Sequence, residues 1–416
     1  MRIYILVLVF LCSFIPEDLN AITILKLGNL NIYALDLIYI SIFIAVIIAI
    51  RKNTFVNIIK LNTIYSLFLG LMIFSIFYGM SKFGVRAIGE GRHIYIFFAF
   101  YVPFAIFPTS QEPQILDIYK FLEKIIYISA IAGLILFIIE LNKGGRFFLS
   151  NINNDTIGSF ADFRGVRYLG SEETYSISVL AIYLILKYYV QKNFNLMKLV
   201  FVFVIIVIVI FTRNRAAPVA LFASFAIVLM FNNKFKLFMR LMFILIISIF
   251  LLSQVFPNYN DMLTLAFRGL FDVRGDETGN WRFLVQWSAL TQALATPILG
   301  QGFGGYFQFY VPEYHAVIEL PPHNIFIYLF SKSGIIGLLL GILLLISIIT
   351  ILIKSRDYWS RDSDHFHFYL LFQIIFISQF IYGMAYGYSF YFALFAGFSL
   401  LIKNELIKKF PRAIID

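Results

Sequence analysis

One cysteine, Cys12, is all that the 416 residues contain. A lone thiol inside an apolar stretch excludes an internal disulfide and a thiolate metal site. Histidine is scarce as well. None of the five sits in an H-x-x-H or H-E-x-x-H spacing, so no metal site is expected. Charged residues make up 13% of the chain against 61% hydrophobic, an apolar excess that no soluble fold of this size can hide. No internal repeat or low-complexity tract interrupts the pattern, and no stretch reads as a separate soluble domain. An A-x-A-like cleavage site is also missing from the apolar start MRIYILVLVFLCSFIPEDLN, which is read as a retained first helix.

What is present is a succession of apolar runs of span length. They predict an all-α polytopic integral membrane protein of about 12 transmembrane helices, read as one membrane domain over 1–416. The spans fall at about 3–16, 32–50, 61–80, 93–108, 121–141, 172–190, 196–212, 216–232, 239–255, 323–353, 365–386 and 388–402. An even number returns both ends to one side, and the basic tail KNELIKKFPR marks that side as cytoplasmic. The formal net charge of +10 is then a topology signal, and no nucleic-acid partner is expected. Two long connections, 142–171 and 256–322, fall on the extracytoplasmic face. The second is too long for a mere connector and predicts short helices, including an amphipathic one around 281–295.

The cations divide by type. Those of the cytoplasmic side are mostly Lys, the ordinary signal for topology. Those of the opposite side are mostly Arg: Arg86, Arg92, Arg146, Arg164, Arg167, Arg213, Arg215, Arg268, Arg274 and Arg282. A guanidinium presents a planar fork of donors matched to phosphate oxygens, so the set points to a phosphorylated ligand. The plainer alternative is pairing with acids of the same loops, such as Glu90, Asp162, Glu172, Asp272 and Asp276.

Arg213 and Arg215 close the span FVFVIIVIVIF. Interfacial snorkelling explains a cation at such a hairpin, whereas a clamp on a diphosphate explains two. Arg282 stands between Trp281 and Trp287. A helix lying at the interface accounts for the tryptophans and leaves Arg282 as a second phosphate ligand. Gly300-Gln301-Gly302-Phe303-Gly304-Gly305 lacks the strand and helix that a nucleotide loop requires. It reads instead as a tight turn bringing backbone close to a ligand or to another helix. Lys332 lies within a span, where it snorkels, pairs with an acid or faces a cavity. His365 and His367 read as packing residues at a span edge. His323 stands apart. Pro321-Pro322 pins its approach, Asn324 adds an amide, and Gly334 and Gly337 permit close helix contact. An imidazole at a wet membrane edge titrates near neutral pH and is a candidate proton acceptor.

His323-Asn324, nine residues, and then Gly334-Ile335-Ile336-Gly337 fit a signature of His, then Asn, Ser or Gln, nine residues and G-x-x-G. On these residues the chain resembles the O-antigen ligase and polymerase superfamily of bacterial envelope glycosyltransferases. Further similarities are Arg282 with Trp287 ahead of PILGQGFG, Arg213 and Arg215 at the outer end of a helix, and RGVRYLG at 164–170, with 279–340 as the signature region. Glu172-Glu173 depart from the family, many members having Asn or Pro-Asn there. The Arg-to-Trp spacing is also one residue longer than common. The resemblance implies a GT-C-like fold in the bacterial inner (cytoplasmic) membrane and an undecaprenyl-diphosphate-linked oligosaccharide as donor. Transfer to an acceptor hydroxyl on the periplasmic face follows, with no nucleotide sugar, cofactor or metal. The acceptor is a second glycan repeat unit in a polymerase, the preferred reading, or lipid A core in a ligase. The resemblance implies a catalytic His323, with Arg213, Arg215 and Arg282 on the donor diphosphate. Arg164, Arg167, Arg86 and Asn324 are additional candidates. The rival from another class is a lipid-linked glycan transporter, which predicts polar groups at mid-membrane, broken helices and an internal repeat.

Overall fold

Helices form where the hydropathy of the sequence places them. The computed structural model describes residues 23–27, 30–49, 63–107, 115–142, 169, 171–192, 195–212, 216–255, 277–305, 307–311, 316–320, 324–361, 363–383 and 390–409. Along them run α1 (Ala34–Ala49), α2 (Thr63–Phe83), α3 (Arg86–Gly91), α4 (Tyr95–Phe98), α5 (Val102–Ile106), α6 (Ile115–Asn142), α7 (Ser171–Val190) and α8 (Leu196–Phe211). Then follow α9 (Ala216–Phe231), α10 (Phe235–Val255), α11 (Glu277–Ala293), α12 (Ile325–Lys354), α13 (Arg356–Arg361), α14 (Phe366–Gly383) and α15 (Phe390–Lys409). Among the described residues, α2, α6, α12 and α14 are long and apolar enough to cross a membrane. The expected first span, 3–16, lies outside the described residues.

Burial separates two kinds of helix. Central α7 packs against α6, α8, α9 and α14, and its residues from Glu173 to Leu186 are buried all round. Its serine hydroxyls bond inside the helix, Ser176 Oγ to the Glu173 carbonyl at 2.8 Å and Ser178 Oγ to that of Thr174 at 2.7 Å, while its tyrosines reach other helices, Tyr175 Oη to Ser378 Oγ of α14 at 3.0 Å and Tyr183 Oη to Glu123 Oε1 of α6 at 3.0 Å. Peripheral helices instead turn apolar side chains outward at helical spacing. Ile131, Ile135 and Ile138 on α6, and Leu339, Leu343 and Ile346 on α12, are exposed one or two turns apart. In water such stripes would cost free energy; against hydrocarbon they are the solvated surface.

Two sequence expectations need correction. Residues 93–108 are not one span: a 3-10 turn at Arg92–Ile94, α4, a second 3-10 turn at Ala99–Tyr101 and α5 divide them. The interruptions are absorbed by packing, since Tyr65 of α2 donates its hydroxyl to the Phe97 carbonyl at 2.5 Å. The chain is also not purely helical. Antiparallel hairpins join β1 (Thr23–Leu27) to β2 (Leu30–Tyr33) and β3 (Phe307–Val311) to β4 (Ala316–Leu320). The second pairs Phe307 with Leu320 and Val311 with Ala316 inside the long connection. Short aromatic and β-branched runs of this kind escape a window tuned to spans.

Candidate functional site

α12 is a broken helix, and the break organises the site. Gly334 has φ 64° and ψ −163°, a conformation closed to residues with a Cβ, so the chain unwinds there and resumes. In an unbroken helix the Ile335 N–H would bond to the Ser331 carbonyl one turn back. Here it donates to the Pro297 carbonyl at 2.8 Å, and the freed Ser331 and Lys332 carbonyls accept from Gln301 N at 2.8 Å and Gly302 N at 3.1 Å. The segment 297–302 thus replaces the helical hydrogen bonds that the break removes, as backbone at membrane depth demands.

The glycine-rich run makes that approach possible. Gly300, Gly302 and Gly304 all have φ between 68° and 89°. A Cβ on Gly302 would stand 2.7 Å from the Gly79 Cα, and one on Gly304 would stand 2.8 Å from Ala87 N. The turn is therefore wedged between α12 and the α2–α3 corner, with Phe303 N donating to the Ser75 carbonyl at 3.2 Å and Ser75 Oγ to Ser333 Oγ at 2.9 Å. This is the close backbone approach read from the sequence. Gly334 and Gly337 serve it differently than expected. Gly334 abuts Ile298 of the turn rather than a helix, and Gly337 abuts Ser333 of its own helix, folded back by the break.

A buried ion pair closes the arrangement. Lys332, fully buried, donates to Glu90 Oε2 at 2.8 Å and to the Gly305 carbonyl, and Glu90 Oε2 also accepts from Gly304 N at 2.5 Å. Phe307 and Tyr328 rings lie 5.5 and 5.6 Å from the ammonium. Of the three fates open to Lys332, pairing with an acid is the one realised. The pair lies eight residues past the helix cap, about 12 Å along the axis, in the third of α12 nearest His323.

The structure brings some expected site residues to this end and leaves others undescribed. Asn324 caps α12, its Oδ1 accepting from Phe326 N at 2.9 Å and Ile327 N at 3.3 Å, so its amide has a backbone task. Arg282 lies in the second turn of α11, which packs on α12. Val285, Ala289 and Ala293 form the buried stripe of that helix, while Leu284 and Trp287 are exposed. The predicted amphipathic segment is thereby realised as α11. Arg86 opens α3, exposed, and acts on the Lys332 ammonium as a like charge. Arg164, Arg167, Arg213, Arg215 and His323 lie outside the described residues.

Arg92, one of the arginines read as outer-face, takes the alternative of pairing with an acid. Its Nη1 donates to the Asn31 carbonyl at 3.2 Å and to Asp36 Oδ2 at 3.4 Å, with the guanidinium 4.3 Å from the Tyr33 ring centre. It is tied to the first hairpin through an acid outside its own loop. His365 stacks on Tyr119 with ring centres 4.4 Å apart, and His367 lies buried beside Tyr183 and Phe368, in keeping with packing roles. Ser75, Gly79 and Glu90 were missed as members of this cluster. Glu90 stood among the loop acids, but nothing in the sequence matched it to Lys332.

These features define a helical membrane protein in which the glycine-rich turn ahead of α12 folds back onto a broken helix. Residues 199–342 match the family model described as O-antigen ligase. The matched segment contains Arg213, Arg215, Arg282, the glycine-rich turn and His323, and excludes Arg86, Arg164 and Arg167. No curated protein matches the chain.

Proposed function

We propose that the protein is a polyprenyl-diphosphate-dependent glycosyltransferase of about 12 spans and GT-C-like architecture in the bacterial inner membrane. On its periplasmic face it moves a glycan from undecaprenyl diphosphate to an acceptor hydroxyl. The observation that carries the reading is the family match over 199–342, which contains the four residues with the central roles. The packing of α11 on α12 and the helix cap one residue after His323 support the same reading.

In this reading Arg213, Arg215 and Arg282 hold the donor diphosphate, with Arg86, Arg164 and Arg167 adding to the field. His323 accepts the acceptor hydroxyl proton as that oxygen attacks the anomeric carbon. The bond from that carbon to the phosphate oxygen breaks, and undecaprenyl diphosphate leaves with the electron pair. Fixed guanidiniums meeting the developing charge lower the barrier. Attack opposite the leaving group inverts the anomeric centre.

Polymerase remains the preferred acceptor reading. The ligase reading has its own support in the description of the matched family. Deleting the gene and running surface polysaccharide on a gel separates them. Single-repeat product marks a lost polymerase, and free lipid-linked polymer beside bare core marks a lost ligase. His323→Ala and Arg282→Ala should each reproduce the deletion while inserting normally; an unaltered polysaccharide in either variant refutes its role. A transporter predicts broken helices, and α12 is one, but its other mark, an internal repeat, is not seen in the sequence.

A further inference from the structure

We propose that Lys332 and Glu90 are positioning residues for transfer: their ion pair holds the glycine-rich turn against the broken helix and so fixes the end of α11 and the start of β3 relative to α12. The inference rests on the transferase reading above. Neutral backbone hydrogen bonds already hold the first part of the turn, from Pro297 to Gly302. The last part, Gly304 and Gly305, is held by the two charges, Glu90 taking the Gly304 N–H and Lys332 the Gly305 carbonyl. That point is mechanically special. Two residues beyond Gly305 the chain enters β3, and Phe307 pairs with Leu320 at the hairpin base. Leu320 stands three residues before His323, and α11 with Arg282 runs into the other end of the turn.

The pair thus sits at the junction of α11, β3 and α12, the elements that precede and carry the matched signature region. A buried ion pair is a poor source of stability, because desolvation offsets attraction, but a sharp one of register. The polarity of this pair matters as well as its neutrality. Exchanging the partners would turn an ammonium toward the Gly304 N–H and a carboxylate toward the Gly305 carbonyl, donor against donor and acceptor against acceptor.

The test uses the full chain in detergent and in membrane vesicles, with lipid-linked glycan extracted from the deletion strain as donor. The double variant Lys332→Met/Glu90→Gln leaves no unpaired charge and should accumulate like the wild type. Amide exchange in it should rise across 300–305 and at Ile335. Its kcat should fall at least about tenfold with KM for the donor changed less than about twofold, the effect of reacting groups held out of line. The exchanged variant Lys332→Glu/Glu90→Lys should behave likewise, whereas Lys332→Arg, which keeps charge and donors, should retain more activity than either. Unchanged amide exchange in the double variant, or raised exchange with wild-type kcat, overturns the proposal. Full activity in the exchanged variant overturns it too, since charge balance alone would then suffice. Wild-type vesicles that transfer nothing from this donor would instead overturn the transferase reading. The exchange pattern would then still report whether the pair pins the turn.

Discussion

Gly79 on α2 lies so close to Phe303 of the glycine-rich turn that a Cβ there would stand 2.1 Å from the Phe303 carbonyl oxygen. Two backbones meet at this point with no side chain between them. Gly79→Ala must therefore push the turn off α2, at a cost of about 3 kcal/mol or more. Gly70→Ala on the same helix meets nothing within 4 Å and should leave stability unchanged or slightly raised. Gly84→Ala also meets nothing, but its φ of +59° makes the backbone pay about 1–2 kcal/mol. Thermal midpoints in detergent should rise from Gly79→Ala through Gly84→Ala to Gly70→Ala. A Gly79→Ala protein as stable as Gly70→Ala would mean that the turn does not rest on α2.

The buried pair makes a second prediction, about additivity. Lys332→Met strands the Glu90 carboxylate and Glu90→Gln strands the Lys332 ammonium, each worth about 3–5 kcal/mol of lost stability. Removing both leaves no unpaired charge, so the double variant should cost less than the sum of the singles, and less than either alone if the site closes over. Unfolding midpoints of the four proteins complete the cycle. Simple addition of the two losses would show that the side chains do not interact.

Much of the helical scaffold was legible because lipid imposes length and apolarity on every spanning helix, and both are visible in a window of sequence. The partners of the charges were not. Lys332 and Glu90 are 242 positions apart, and Arg92 and Asp36 are 56 apart. Hydropathy marks each as out of place in an apolar setting without saying which acid answers which base. The glycine-rich turn lay between these extremes. Its composition announced a close backbone approach, while its partners, Gly79 and Ala87, emerged only when α2 and α3 were placed beside it. Gly334 and Gly337 show the same limit, since a G-x-x-G spacing is shared by helix contacts and by helix breaks.

Arg92 gives a third prediction, contrary in sense to that for Arg282. Its guanidinium is spent on Asp36, the Asn31 carbonyl and the Tyr33 ring, and Asp36 itself accepts from Tyr33 N at 2.9 Å. Arg92→Ala should therefore lower stability by about 1.5–3 kcal/mol through its hydrogen bonds to a charged group. Surface polysaccharide made per folded molecule should stay at the wild-type level. A loss of product at normal protein abundance and thermal midpoint would return Arg92 to the set of phosphate ligands.

Asn324 offers the sharpest separation of a structural from a chemical role. Its side-chain oxygen is engaged by two backbone N–H groups at the first turn of α12, so its contribution is to start the helix one residue after His323. Ser performs that task nearly as well as Asn, whereas Ala leaves both donors without a side-chain acceptor at a cost of about 1 kcal/mol. Asn324→Ser should therefore keep transfer close to wild type, and Asn324→Ala should lose stability and some activity together. Were the Asn amide needed to bind donor or acceptor, Ser and Ala would fail alike, since neither carries the amide. Measuring transfer in vesicles alongside the thermal midpoint decides it: activity that tracks the strength of the helix cap assigns Asn324 to the fold, and activity lost equally in both variants assigns it to the substrate.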